Sequence, residues 1–214
     1  MNSTPRHFTR QGFTLVGLLI IIAVIAILAA MLLPALASAK RKAQRINCVN
    51  NLKQDAIAFR LWEGDNGDKY PMAVSTNKNG TMEYTGEVFR HFQVMSNELS
   101  TPRILVCPED NRAPAASFAR LENQNVSYFV GVDATEMQPQ MLLTGDRNVT
   151  NGLSPVRSVL ELPPGIPAGW TEAMHHGVGN IGVADGSVMQ FSIPGLQQML
   201  KNTGDSTNRI ALPE

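Results

Sequence analysis

The chain has 214 residues, 43% of them hydrophobic, and its 18 Lys/Arg are balanced by 18 Asp/Glu. That neutral sum hides an asymmetry: residues 1–62 carry eight Lys/Arg and one acid, Asp55, whereas residues 63–214 carry ten Lys/Arg and seventeen acids. The length suits one ordinary domain with an appendage, and an acidic downstream part argues against a nucleic-acid binder, whose basic patch belongs on the folded domain.

Residues 1–12 are polar and basic, with Arg6, His7 and Arg10 ahead of Gly12. From Gln11 to Ala39 there is no charged residue. The run exceeds the about 20 apolar residues that a bilayer-spanning helix needs. Three readings compete for it: a signal peptide cut near Ala37-Ser38-Ala39, an uncleaved anchor, and a short leader cut off just ahead of the apolar run. A signal-peptide core of about 7–15 residues is much shorter than this run. Pro34 lacks an N–H and clashes with the preceding turn, so a local kink or melt is expected there.

Beyond Ala35 the pattern predicts that the helix continues to about Trp62. Ala39, Ala43, Ile46, Val49, Leu52, Ala56 and Phe59 recur at three- and four-residue steps and form one apolar stripe. Lys40, Arg41, Asn47, Asn51 and Asp55 fall largely off it. The cluster Lys40-Arg41-Lys42 with Arg45 suits lipid head groups or partner stems. Gly64-Asp65-Asn66-Gly67-Asp68 is a dense turn cluster that ends the helix. Its acids do not complete a calcium loop, because the EF-hand Gly and distal Glu are missing.

Downstream, residues 104–107 and 126–132 read as strands, residues 141–144 and 156–162 as weaker ones, and residues 89–99 as a short helix. No βαβ rhythm appears, so the expected class is α+β with an antiparallel sheet. Asp185-Gly186, between two strand-like runs, predicts a two-residue hairpin turn with both residues at positive φ. A terminal helix should follow, capped by Ser192, with Pro194 in its first turn and Gly204 ending it.

Candidate chemistry is sparse. Gly177-Val-Gly179-Asn-Ile-Gly182 spells G-x-G-x-x-G, but a strand and a turn follow where a nucleotide site needs a helix. No catalytic residue and no cofactor are predicted. Cys48 and Cys107 allow either one disulfide or two unpaired thiols, and their spacing does not choose, because the bond depends on Cα separation. His175 and Asp185 would be only two ligands, too few for a metal site. No metal is therefore assigned, and His175 is expected to hold the hairpin by bonding its turn or the turn's carboxylate.

Gln11-Gly12-Phe13-Thr14-Leu15, the apolar run and Lys40-Arg-Lys-Ala-Gln-Arg45 together resemble the N-terminal segment of type IV pilins and type II secretion pseudopilins. The resemblance implies cleavage by prepilin peptidase after Gly12 and N-methylation of Phe13. It also implies a ladle: leader 1–12, a transmembrane and assembly half of the helix at 13–36, an amphipathic half at 37–63, and a periplasmic or extracellular head at 64–214. Pro34 stands 22nd from Phe13, where many members carry a helix-disrupting proline. Gly17 occupies the fifth position, where most members have a Glu that meets a neighbouring subunit's N-terminal amine. This departure is shared by minor, tip-located pseudopilins, and it equally fits a paralogue that assembles poorly.

His175, nine intervening residues and Asp185-Gly186 resemble the His-x9-Asp-Gly signature of pseudopilin-like proteins common in planctomycete and verrucomicrobial bacteria. Cys48-Val-Asn-Asn-Leu-Lys-Gln and Cys107-Pro-Glu-Asp fit that group too. The resemblance implies a structural subunit, not an enzyme, of a secretion pseudopilus or pilus-like filament. Its partners would be prepilin peptidase, other pseudopilins or pilins, the inner-membrane assembly platform and the lipid bilayer. It would sit in the bacterial inner membrane as a single-pass protein with a periplasmic head. The alternative is a membrane-anchored extracytoplasmic binding protein that uses the prepilin pathway without forming a filament. Counting Arg6 and Arg10 against Lys40, Arg41, Lys42 and Arg45 points the head the other way, into the cytoplasm. The leader motif is more specific than that count.

Overall fold

The computed structural model describes residues 15–214. The chain divides into two compact units at Lys42/Ala43. Helix α1 (Leu15–Asp65) stays helical through Pro34, so the expected melt is not found. The ring deletes one hydrogen bond, to the carbonyl of Ala30, and the remaining ladder of a 51-residue helix carries the backbone across it. Three residues past the expected end, α1 stops at Asp65, where Gly67 and Asp68 take positive φ (71° and 57°) and turn the chain.

Within the unit 43–214, the C-terminal part of α1 buries Cys48, Leu52, Asp55, Ala56, Ala58, Phe59, Trp62 and Glu63. These recur at three- and four-residue steps, which places them along one face. The expected stripe is right for Leu52, Ala56 and Phe59 and wrong upstream: Ala39, Ala43 and Ile46 are exposed. A thiol at position 48 and a carboxyl at position 55 define the true face, and an apolar pattern does not register either of them.

Asp55 is the main correction. It is fully buried, and neither carboxyl oxygen has a hydrogen-bond partner. Burial alone raises its pKa well above the usual carboxylate range. An acid whose folded pKa is raised holds its proton longer in the native state, so stability is lost as pH rises above its unfolded value of about 4. Asp55→Asn removes this liability. The variant should gain about 1–2 kcal/mol over the parent at pH 8 and little at pH 4, measured as the difference between their unfolding midpoints across pH.

After α1 come two short helices, α2 (Phe89–Gln93) and α3 (Ser96–Leu99), where one helix over 89–99 was expected. Residues 104–107, expected as a strand, begin instead in a 3-10 turn, Pro102–Leu105. Thr101 caps this turn by accepting from the Arg103 N–H, and Pro102 supplies its first position, so local capping overrides β-propensity.

The strands are β1 (Tyr128–Gly131), β2 (Leu142–Asp146), β3 (Val149–Thr150), β4 (Val159–Glu161), β5 (Gly169–Trp170), β6 (Gly179–Val183) and β7 (Val188–Phe191). Helix α4 (Ile193–Asn202) and β8 (Arg209–Ala211) complete the chain. Six strands form one antiparallel sheet in the order β4-β8-β1-β2-β6-β7, and β3 pairs separately with β5. The α+β class with an antiparallel head is therefore what the chain adopts.

Both faces of this sheet are covered. Tyr128, Val130 and Leu143 join Leu52, Phe59 and Trp62 of α1 in one core. Phe129, Leu142, Ile181 and Ile210 join Leu196, Met199 and Leu200 of α4 in the other. Alternate residues of β1 thus enter opposite cores, as the two-residue period of a strand requires. Burial on both sides also explains why residues 126–132 read as a nearly continuous apolar run. The G-x-G-x-x-G spelling has a packing origin in part: a Cβ at Gly179 would lie 2.3 Å from the Trp170 ring. Ser192 caps α4 and Pro194 sits in its first turn, as expected, and Gly204 turns the chain at φ 77°.

Candidate functional site

Two features of the chain carry functional information. The first is the apolar segment of α1, which is long and apolar enough to cross a membrane, with its most hydrophobic 18-residue window entirely unburied. Leu, Ile, Val and Met side chains from Leu15 to Leu36 project outward. Gly17 is its third described residue and Pro34 lies inside it. The processing residues Gly12 and Phe13 fall outside the described residues.

The second feature is a buried polar cluster in the unit 43–214. Cys48 comes from α1, Cys107 from the turn after the 3-10 segment, Asp146 from the end of β2, and His175 from the loop before β6. All four are at most 1% exposed. The Cys48 Sγ lies 3.2 Å from Asp146 Oδ1 and 3.4 Å from the Tyr128 hydroxyl. The Cys107 Sγ is 3.3 Å from His175 Nε2, and Asp146 Oδ2 is 3.4 Å from the same nitrogen. On its other side, His175 Nδ1 is 2.8 Å from Glu109 Oε2. Asp146 Oδ2 accepts from both the backbone N–H and the side-chain amide of Asn180, at 2.7 and 2.9 Å. The sulfur and nitrogen atoms of Cys48, Cys107 and His175 all lie within 4.8 Å of one another, and both thiols are free.

The electrostatics of this cluster are asymmetric. Burial, and then the Cys107 and Asp146 neighbours, push the Cys48 thiol up. Hydrogen bonding to Cys48 pulls Cys107 down to about 6, against the opposing effect of burial and with help from His175. Burial raises Asp146 to about 7 although the His175 charge favours its ionisation. Burial works to lower His175, but Cys107, Asp146 and Glu109 outweigh it and hold its pKa above the usual value.

The residues expected to work with His175 are placed differently. Its imidazole reaches Cys107 and Glu109, not the hairpin turn or the turn's carboxylate. The tip is held instead by α1 and the segment after it: Arg60 donates to the Asp185 carbonyl at 2.8 Å, and the Tyr70 hydroxyl donates to the Ala184 carbonyl at 2.8 Å. The Asp185 carboxylate accepts from the Ser187 N–H. Within the Val183–Gly186 turn only Gly186 has positive φ, 85°, so the expected pair of left-handed residues is corrected to one. Gly186 N–H donates to the Val183 carbonyl and Val183 N–H to the Ser187 carbonyl. That pattern is a type I turn closed by a glycine bulge, in which Asp185 keeps an ordinary right-handed conformation.

Cys107-Pro-Glu-Asp now has a physical reading. Cys107 enters the cluster, Glu109 holds His175, and Asp110 makes a two-pronged bond to Arg147 at 2.7 and 2.8 Å. Asp146, Tyr128 and Asn180 were not recognised from sequence as members of the site. Cys107 and His175 are 68 positions apart, and only the fold brings them together. The assignment of no metal rested on His175 and Asp185 as two ligands; the structure groups a different, three-residue donor set. The chain matches no protein-family model, no curated protein and no solved structure.

Proposed function

We propose that the protein is a structural subunit of a type II secretion pseudopilus or type IV pilus-like filament, tethered by α1 in the bacterial inner membrane with its head in the periplasm. The observation that carries this reading is the construction of α1. One continuous helix supplies an unburied apolar segment and, further on, a buried face on the antiparallel head. Such a segment suits two environments in turn, lipid before assembly and the stems of other subunits afterwards. The QGFT-type leader and Pro34 support the same reading. Prepilin peptidase, sister subunits and the inner-membrane assembly platform are its proposed partners.

Gly17 supports a second reading, an extracytoplasmic binding protein anchored through the prepilin pathway that forms no filament. Glycine offers no carboxylate for the meeting with a neighbouring subunit's N-terminal amine that the resemblance implies at that position. A tip-located subunit sits between the two readings, since it needs fewer neighbours.

The test is the mature N-terminus of the membrane-extracted chain. Mass spectrometry should find N-methylated Phe13. A start at Lys40 or an uncut Met1 would overturn prepilin processing. Replacing the apolar half of α1 with an unrelated span then separates the two readings: a filament subunit loses incorporation, whereas an anchored binder keeps its function.

A further inference from the structure

We propose that Cys48, Cys107 and His175, with the Asp146 carboxylate as fourth ligand, form a closed tetrahedral zinc site that fastens the docked part of α1 to the sheet. The donor set is the first ground. Two thiolates, an imidazole and a carboxylate are borderline-soft ligands suited to zinc, and four protein ligands with no open position mark a structural site.

Spacing is the second ground. Zinc bonds of about 2.3 Å to sulfur and 2.0–2.2 Å to nitrogen and oxygen, at tetrahedral angles, put neighbouring ligand atoms about 3.4–3.8 Å apart. Here Cys107 Sγ lies 3.3 Å from His175 Nε2, and both lie within 4.8 Å of Cys48 Sγ. Asp146 approaches with two different oxygens, Oδ2 at 3.4 Å from His175 Nε2 and Oδ1 at 3.2 Å from Cys48 Sγ. Closing the Cys48 sulfur onto this set and turning one Asp146 oxygen toward it would bring four donors to zinc distances.

The surroundings are the third ground. A metal-bound histidine donates its other ring N–H to a carboxylate, which fixes the tautomer and ring orientation. His175 Nδ1 sits 2.8 Å from Glu109 Oε2, and a neutral ring that donates there turns its Nε2 lone pair toward Cys107 Sγ, 3.3 Å away. Asn180 steadies Asp146 with two donors, and the Tyr128 hydroxyl approaches Cys48. The loop is shaped to present His175: it and His176 take positive φ (54° and 52°), followed by Gly177 at 75°. Non-glycine residues in that region carry a conformational cost that the rest of the structure must over-determine.

Two other uses of the cluster fit less well. A Cys107–His175–Glu109 relay has the order of a thiol nucleophile, its base and an orienting carboxylate, but Cys107 and His175 are 0% and 1% exposed, which leaves no approach for a substrate. A Cys48–Cys107 disulfide would consume both sulfurs and leave His175 and Asp146 as a buried pair with no further task. On zinc binding the two thiol protons leave for solvent. The ion with two thiolates and a carboxylate then carries one net negative charge, met by the Asn180 and Tyr128 donors.

The test uses the full-length chain in detergent, reduced and equilibrated anaerobically with zinc and then freed of loosely held metal. Elemental analysis should find one zinc per chain, and cobalt in its place should give a thiolate-to-cobalt charge-transfer band. Cys48→Ser and His175→Ala should each abolish stoichiometric binding. Glu109→Gln touches no metal in this scheme and should weaken zinc affinity about 10–100-fold, a change that a purely packing role for Glu109 would not produce. If Cys48→Ser or His175→Ala fails to fold, the parent and Glu109→Gln alone decide the matter. Less than a tenth of an equivalent of zinc on the reduced parent would overturn the proposal. So would a Cys48–Cys107 disulfide in the intact mass of the freshly extracted chain.

Discussion

Phe59→Ala is expected to destabilise the head by about 3–5 kcal/mol, the range found when a fully buried aromatic is truncated. Phe59 has no exposed surface, and its ring meets Tyr70 edge-on at 6.1 Å and Phe92 at 5.9 Å. Deleting it therefore removes apolar burial and two aromatic contacts at once, and it leaves a cavity between α1 and the segment 70–92 that the neighbouring rings only partly fill. Chemical unfolding of the full chain in micelles, followed by tryptophan fluorescence, reads this directly. Trp62 and Trp170 are the only two tryptophans, and both are buried in the unit 43–214. Ile57→Ala is the control. Ile57 is 55% exposed, two positions away on the same helix, and its loss should stay within about 0.5 kcal/mol. Equal effects at the two positions would mean that α1 does not pack on the head by the face described.

The contrast between Phe59 and Asp55 shows what the sequence made legible and what it did not. An apolar residue at helical spacing announces its own burial, so Leu52, Ala56 and Phe59 were readable in advance. A carboxyl at position 55 reads as solvent-facing, and only the register of the docked helix, set by Cys48, Leu52, Phe59 and Trp62, forces it inward. The upstream half of the stripe failed for a related reason. Ala39, Ala43 and Ile46 satisfy the same period while nothing in the unit 43–214 covers Ile46. Periodicity reports a face, not its partner.

Turn chemistry was readable where it was local. Ser192, Pro194 and Gly204 each act within four residues of their own position. Strands β3, β5 and β8 have two or three residues each, too short for alternation to stand out, and they exist because a neighbouring strand supplies their hydrogen bonds. The buried cluster lies at the far end of this scale. His175, Cys107 and Cys48 were each noticed for a local motif, yet the group they form depends on four separate segments meeting. The His-x9-Asp-Gly spacing joins two residues that serve different neighbours: His175 serves the cluster, and Asp185 with Gly186 forms a turn gripped by Arg60 of α1.

Acid should destabilise the head through His91 by about 3 kcal/mol between pH 6.5 and pH 4. His91 is 1% exposed. Its Nδ1 lies 2.6 Å from the Thr81 hydroxyl, and Nε2 has no hydrogen-bond partner. Burial, which outweighs the opposing effect of the Tyr84 backbone, lowers its pKa to about 4 from the ordinary 6.5. A base with a depressed folded pKa contributes stability that is complete above its unfolded pKa and is lost as pH falls through the folded one. The unfolded chain takes up the proton first, and the native state must either exclude it or bury an imidazolium beside a hydroxyl. His91→Gln keeps a hydrogen-bonding group near Thr81 and cannot be charged. The difference in unfolding free energy between parent and variant should be nearly constant above pH 7 and should shift in favour of the variant by about 3 kcal/mol on reaching pH 4. Asp55 works in the opposite direction, since its raised pKa makes the parent gain stability as pH falls. The raw pH profile of the parent sums these and every other shifted group, Asp146 and His175 among them, whereas the parent-minus-variant difference isolates His91. A flat difference from pH 7 to pH 4 would show that the imidazole reaches water in the native state.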